Sequence, residues 1–441
     1  MRHIDFTSGP VGRKILLFSL PLMVGNVFQQ LYNVVDTLVV GKFLGEAPLA
    51  AVGSAYTLMI FLTSILIGLT MGAGVYFSLC FGRKNFDRMK QAVFISFLSI
   101  GLLTVIMNGA AYLLLDELIS FMQVPFEVIP YIRDYLWWIL TGLLAVFLYN
   151  FGAALLRAVG DSVTPLLFLI LSSLMNVALD ILFVVYLDFG VSGAAEATVI
   201  SQYVSGAGIF LYCFLFRKDF HISRKDMVWN RQVFCDMSEL SLLTSLQQSI
   251  MNFGILLVQG LVNSFGTTVM AAFAAGVKID TIAYSPLQDF GNAFSTYAAQ
   301  NWGAGNKARI RQGVITAGKM IFLFSILTSC LVSLLAPTLM GFFVPETAAE
   351  VIAVGAHYLR IEGSCYLGIG ILFMLYGFYR AIKRAGMSVI LTILSLGTRV
   401  VLAYFLSSFP EIGVTGIWLS IPIGWALADM YGIIKGYRLV R

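Results

Sequence analysis

VTPLLFLILSSLMNVALDILFVVY, residues 163–186, is apolar apart from three small hydroxyls, one amide and one carboxylate. As a helix rising 1.5 Å per residue it reaches about 36 Å, enough to cross the ~30 Å hydrocarbon core of a bilayer. Asn176 and Asp180 stand four residues apart in it. That is just over one helical turn, so both side chains share a face. An ionisable group at such depth is costly and marks a functional site by default. A second one, Asp36, lies in the apolar run from Ile15 to Val40. The two acids are expected to belong to one site.

The rest of the chain is of the same kind. Of its 441 residues 59% are hydrophobic and only 12% charged, against about 25% charged in a soluble domain. Hydropathy predicts twelve helical spans, at residues 14–40, 48–77, 92–115, 131–155, 163–186, 191–216, 233–262, 269–299, 312–343, 352–380, 387–408 and 413–436. The expected fold class is therefore an all-α polytopic membrane protein. The first 14 residues are basic and run straight into a full span with no A-x-A-like cleavage site, so no removed signal peptide is expected. Five scattered cysteines without a C-x-x-C pair argue against a disulfide framework, a zinc site or an iron–sulfur cluster.

A net charge of +5 could suggest nucleic acid, but its distribution points to membrane topology instead. With the N-terminus inside, 22 of the 28 Lys and Arg fall in cytoplasmic segments. Only Lys42, Arg133 and Arg360 fall outside, and Lys278, Lys319 and Arg399 fall within spans. This asymmetry places both termini in the cytoplasm. The outer loops are acidic, with Asp116, Glu117, Glu127, Glu346, Glu350 and Glu411.

The two halves repeat. Gly190-Val191-Ser192-Gly193 recurs as Gly413-Val414-Thr415-Gly416, and Tyr135-Leu136 as Tyr358-Leu359, both at a shift of 223. Gly82, Arg88, Gln91 and Val93 recur as Gly303, Arg309, Gln312 and Val314 at 221, and Gln29-Gln30 as Gln247-Gln248 at 218. The expected organisation is an N-terminal lobe over 1–216, a basic cytoplasmic linker over 217–232 and a C-terminal lobe over 233–441. Two pseudo-symmetric six-helix lobes around a central cavity form a transporter pattern.

Depth decides which polar groups can meet. Asp36 in span one, Asp180 in span five and Thr198 in span six all lie roughly 6–10 Å from the outer edge, with Asn176 a turn deeper. Four oxygen-bearing side chains at similar depth fit a small cation site, and two neighbouring carboxylates can exchange protons or bind Na+. The plainer reading of Asp180 is an acid hydrogen-bonded between helices. Thr198 alone is a weak signal, because span threonines often bond their own backbone. Gln29, Tyr32 and Asn33 share a helical face with Asp36 and are expected to line a substrate cavity. Helix glue is the alternative for the two amides, and packing for the tyrosine. Pro21 with Gly25 marks a kink in span one that is either a hinge or a static bend.

The second half lacks the acids. Asp36 matches Gly254 at 218, while Asn176 matches Arg399 and Asp180 matches Ala403 at 223. Arg399 is then a buried cation in need of a partner, with Asp280 and Glu239 as candidates. Glu196, Asp289 and Asp429 are further intramembrane acids. No G-x-x-x-x-G-K-[ST] loop, H-E-x-x-H or G-x-S-x-G occurs, and the three histidines sit near ends or loops. A built-in ATPase, a metalloprotease and a serine hydrolase are thereby disfavoured. No cofactor is expected beyond a coupling ion.

Several motifs together resemble the multidrug and toxic compound extrusion (MATE) family. They are Gly9-Pro10, the span-one pattern Pro21…Gln29-Gln30…Asp36, and Gly72-Ala73-Gly74. The others are Ala158-Val159-Gly160-Asp161-Ser162-Val163-Thr164-Pro165 and Gln300-Asn301-Trp302-Gly303-Ala304-Gly305. The resemblance implies twelve helices in two lobes and efflux of cationic amphiphilic compounds in exchange for H+ or Na+. It places the coupling residues on Asp36, Asn176, Asp180 and Thr198, which would be metal ligands if Na+ is the ion, and the kinking proline on Pro21. In the NorM-like branch further acids sit in spans seven and ten, but Gln247 and Gln248 occupy span seven here and no acid lies around Tyr376 to Arg380. This chain therefore looks more like the DinF-type branch.

The expectation is a monomeric antiporter in the inner membrane of a prokaryote. Its partners would be small cationic or amphiphilic molecules and membrane lipids, not nucleic acid. The alternative is a flippase for lipids or lipid-linked oligosaccharides, for which a strongly basic cavity would be the sign. A membrane-embedded enzyme or sensor is disfavoured by the missing catalytic motifs.

Overall fold

Apolar side chains in a bilayer leave the backbone no partner but itself, so a spanning chain of this composition folds as helices. A computed structural model describes residues 4–345 and 348–440. Arg2, His3, Glu346 and Arg441 lie outside the described residues. The described chain is all helical. In order, the helices are α1 (Val11–Phe43), α2 (Glu46–Gly82), α3 (Phe86–Leu113), α4 (Leu115–Phe121), α5 (Ile129–Ile139), α6 (Gly142–Ala158), α7 (Val163–Asp180) and α8 (Gly190–Phe216). They continue as α9 (Arg231–Asn263), α10 (Thr267–Gly303), α11 (Lys307–Gly341), α12 (Ala349–Gly363), α13 (Tyr366–Ala381), α14 (Ala385–Ser407) and α15 (Val414–Val440).

Among the described residues nine helices are long and apolar enough to cross a membrane, and up to eleven spans result if each bent pair counts as one. α10 is the twelfth. At 37 residues it is long enough, but Lys278, Asp280 and Asp289 make it too polar to qualify by composition.

Two expected spans are broken rather than continuous. The predicted helix over 131–155 is α5 and α6, bent by 42°, and that over 352–380 is α12 and α13, bent by 51°. The breaks, at Leu140-Thr141 and Ser364-Cys365, stand a repeat apart. The predicted span 163–186 also changes character, because α7 ends at Asp180 and Ile181–Tyr186 continue as a π-helix. Single π turns inside helices occur often at functional sites.

The chain forms two compact units. One comprises residues up to Asp5 with Leu20–Ser249, and the other comprises Phe6–Ser19 with Ile250–Arg441. In the first unit the Gly72-Ala73-Gly74 motif is a packing device. A Cβ on Gly72 would stand 2.5 Å from Ser241 Cα, and one on Gly74 would stand 3.1 Å from Ala154 Cβ. α2 thus lies against α9 on one side and α6 on the other. Gly68 repeats the close approach a turn earlier, with Ser245 Cα 2.3 Å from where its Cβ would be. The turn after α6 carries Gly160 at φ +85°, a backbone that favours glycine, with Ile4 packed against it. Asp161 then caps α7, accepting from Thr164 N (3.0 Å) and Thr164 Oγ1 (2.8 Å), and pairs with buried Arg217 at 3.3 Å. In the linker Asp226 Oδ2 accepts from Ser223 N and Oγ, both at 2.8 Å. The Ser223 backbone N–H holds that carboxyl below the usual carboxylate range.

The second unit binds the N-terminal stretch. Phe6 is fully buried against Phe18 and Tyr297, its N–H donates to Gln300 Oε1 (3.2 Å), and its carbonyl accepts from Asn301 Nδ2 (3.2 Å) and Arg309 Nε (2.8 Å). The Gln300-Asn301 motif is therefore a clamp. The 221-residue register is visible in the geometry as well. Asn85 and Asn306 cap α3 and α11 by accepting from Arg88 N and Arg309 N. The position before each cap has positive φ, at Lys84 and Gly305.

Candidate ion-coupling site in the first unit

The site is assembled by the pairing of α7 with α8. Small residues let the two helices approach, and a ladder of hydrogen bonds sets their register. Ser205 Oγ donates to Phe168 O (3.2 Å), Ser172 Oγ to Ser201 O (2.9 Å) and Asn176 Nδ2 to Thr198 Oγ1 (3.1 Å). Asp180 follows Asn176 by one turn at the end of α7, where the π-helical segment begins. All three side chains are buried, with 2% of Asn176, 0% of Asp180 and 8% of Thr198 accessible.

The ladder uses the nitrogen of Asn176 and leaves its oxygen unpartnered. Four buried oxygens have no hydrogen-bond partner here: Asn176 Oδ1, both carboxylate oxygens of Asp180, and Oδ1 of Asp36 on α1. The Asp36 and Asp180 carboxylates are close enough to act on each other electrostatically. Depth reckoning placed these residues at one level, and the fold brings them together. Buried anionic oxygens without donors are costly. A proton or a small hard cation is what such a set can take up, since oxygen ligands suit either.

α1 runs unbroken through Pro21 and presents the remaining predicted residues. Tyr32 lies near Gln29 and Asp36 of its own helix, Tyr56 of α2 and Tyr149 of α6. Asn33 is half-buried, and its carbonyl accepts from Thr37 Oγ1 at 2.8 Å. Gln29 and Asn33 thus stay on the Asp36 face of α1.

Tyr135 of α5 was not expected in the site. It is buried, and it feels the charge of both Asp36 and Asp180 and lies near Tyr32. Its one signal in the sequence was its recurrence as Tyr358. Arg399 finds neither of its two expected partners at ion-pair distance: its buried Nε has no hydrogen-bond partner, and the acid it acts on electrostatically is Glu362, which was missed. Among the described residues no three His, Cys, Asp or Glu side chains converge as metal ligands.

A family model described as MatE matches residues 21–182 and 243–405, one stretch in each half. The probable multidrug resistance protein YpnP of Bacillus subtilis (strain 168) is 30% identical over 100% of this chain and 97% of that protein. The probable multidrug resistance protein YoeA of the same organism is 26% identical, over 97% of this chain and 93% of that one. A crystal structure of MATE in complex with MaL6 superposes with a TM-score of 0.94 at 25% identity, covering 100% of this chain and 98% of that one. Matched in both halves and aligned end to end with its relatives, the chain belongs to the MatE family, whose members are multi-span membrane transporters and not enzymes.

Proposed function

We propose that the protein is a secondary antiporter that exports cationic amphiphilic compounds from a prokaryotic cell in exchange for H+ or Na+. The observation that carries this reading is the set of four buried, unpartnered oxygens on Asp36, Asn176 and Asp180. Two carboxylates placed together in a low-dielectric interior favour uptake of positive charge. The drug-resistance names of the relatives support the substrate class. Ion uptake from outside neutralises Asp36 and Asp180, changes the balance of contacts on α1 and displaces the substrate held beside Gln29, Tyr32 and Asn33. Thr198 positions Asn176, and Pro21 supplies the place where α1 can bend.

The test is uptake of a fluorescent cationic dye by proteoliposomes, with Na+ and pH gradients imposed separately. Acceleration by one gradient, lost in Asp36→Asn and Asp180→Asn, identifies the ion and the site. Dye movement indifferent to both gradients would remove the antiport reading and favour a flippase.

A further inference from the structure

The basic linker after α8 is tied down at several points, although most of it is exposed. Its first turn, Lys218–Phe220, packs on α3 and α8, and Phe220 is fully buried. Asp226 closes the next turn, accepting from Ser223 N and Oγ while its own N–H donates to Ser223 O at 2.9 Å. Asn230 then caps α9, its Oδ1 accepting from Gln232 N (3.0 Å) and Val233 N (3.2 Å). Between these two fixed points the chain presents Met227, Val228 and Trp229, which are 52%, 52% and 53% accessible. The Trp229 ring is placed by Phe234, with centroids 5.0 Å apart.

Three consecutive large apolar side chains held open by a fixed backbone call for a partner or an apolar phase. Their charged neighbours say which. Arg224 and Lys225 occupy the exposed tip of the Asp226 turn, and exposed Arg231 follows Asn230. The acids nearby are already engaged. Asp219 pairs with Arg217 and Asp236 with Arg88, both at 3.2 Å. Lys90 of α3 and Lys225 share the single carboxylate of Asp226. Arg224 and Arg231 form no ion pair among the described residues. The stretch thus keeps an excess of positive charge around its apolar centre.

Its place along the chain is equally telling. α8 ends at Phe216, with Leu215 and Phe216 both exposed, and α9 begins at Arg231. Both helices are membrane spans, so the segment between them lies where headgroups meet hydrocarbon. Tryptophan is favoured at that level, and clustered Lys and Arg attract anionic headgroups there. A nucleic acid would use the cations and leave the apolar three in water. An apolar protein partner would leave the cations unanswered.

We propose that residues 224–231 form a docking surface for anionic phospholipid headgroups, with Met227, Val228 and Trp229 entering the interface of the leaflet on the linker's side. This surface is independent of the antiport reading.

The test is fluorescence of the full-length protein in mixed vesicles of phosphatidylglycerol and phosphatidylcholine, with one lipid or the other carrying brominated acyl chains. The signal of Trp229 is the difference between wild type and Trp229→Phe, which keeps a ring against Phe234. Brominated phosphatidylglycerol should quench it several-fold more strongly than brominated phosphatidylcholine, since each basic side chain near the surface favours anionic lipid by about fivefold. The triple variant Arg224→Gln, Lys225→Gln, Arg231→Gln should bring the two lipids level, as should high salt, which screens exposed charge. These side chains are exposed and Asp226 and Asn230 are retained, so the variant should melt with the wild type. Equal quenching by both lipids in the wild type overturns the anionic assignment. A Trp229 signal untouched by either lipid overturns the docking surface and leaves the patch to a protein partner.

Discussion

At the residue scale, the chemistry depends on which polar atoms are left without partners. Asn176 is bound through its nitrogen and offers its oxygen, so Thr198 acts on the site by orienting the amide. Thr198→Val should therefore cost about 0.6 kcal/mol of stability, the usual size of a hydrogen bond between membrane helices. It should also weaken ion activation without abolishing it, as thermal unfolding and the dye assay would show together. Tyr135→Phe keeps the packing of α5 and removes one hydroxyl beside both acids. It should leave expression and melting unchanged and raise the ion concentration needed for half-maximal transport several-fold. An unaltered ion dependence would return Tyr135 to a packing role. Asp36, Asn176, Asp180 and Thr198 were legible from the sequence because each is a polar residue at a countable depth in an apolar run. Tyr135 and Glu362 were not. A tyrosine in a span looks the same whether it packs or donates, and Glu362 sits where the helix breaks, so depth counting along one rod misplaces it.

At the element scale, several motifs that carry the family resemblance turn out to be joints. Gly72 and Gly74 admit α9 and α6, Gly160 admits the N-terminal stretch, and Asp161 caps α7 while neutralising Arg217. Asp161→Ala removes the cap and one of the two carboxylates paired with buried Arg217, which keeps Asp219 at 3.2 Å, a loss of about 1–3 kcal/mol. The expected result is a strongly lowered melting temperature in detergent, partly restored by Asp161→Asn through the capping bond to Thr164. Gly72→Leu would force α2 and α9 apart and should cost at least as much as ordinary overpacking, about 1–3 kcal/mol. The bends in the fourth and tenth spans were illegible, since neither Leu140-Thr141 nor Ser364-Cys365 contains a proline and the adjoining Gly142 and Gly363 are common in spans. Helix packing decides such breaks, and periodicity records only that the stretch is apolar.

At the scale of the whole molecule, the positive charges predict an orientation with termini and linker on the cytoplasmic side. In that orientation Lys225→Cys, introduced into a chain cleared of its five native cysteines, reacts with a membrane-impermeant reagent in inside-out vesicles and not in intact cells. The reverse pattern would invert every assignment of depth, including that of Asp36 and Asp180. The count of twelve spans was legible by window hydropathy even though α10 fails a stricter composition test, because its charges are spaced among long apolar neighbours. What no window shows is where those charges find partners. Asp280 meets Tyr358, Tyr366 and Glu362, which follow it in the chain by more than 70 residues.

That separation has a consequence for biosynthesis. As the chain leaves the ribosome, α10 reaches the translocon carrying Lys278 and Asp280 while Tyr358, Glu362, Tyr366 and Arg399 are still unmade. Each charge near a helix centre opposes insertion by about 3 kcal/mol. α10 should therefore wait at the translocon or at the bilayer surface until α12 to α14 arrive, and the second unit should become resistant to protease late and all at once. Asp280→Leu would let α10 enter alone, trading a dependent insertion for an autonomous one.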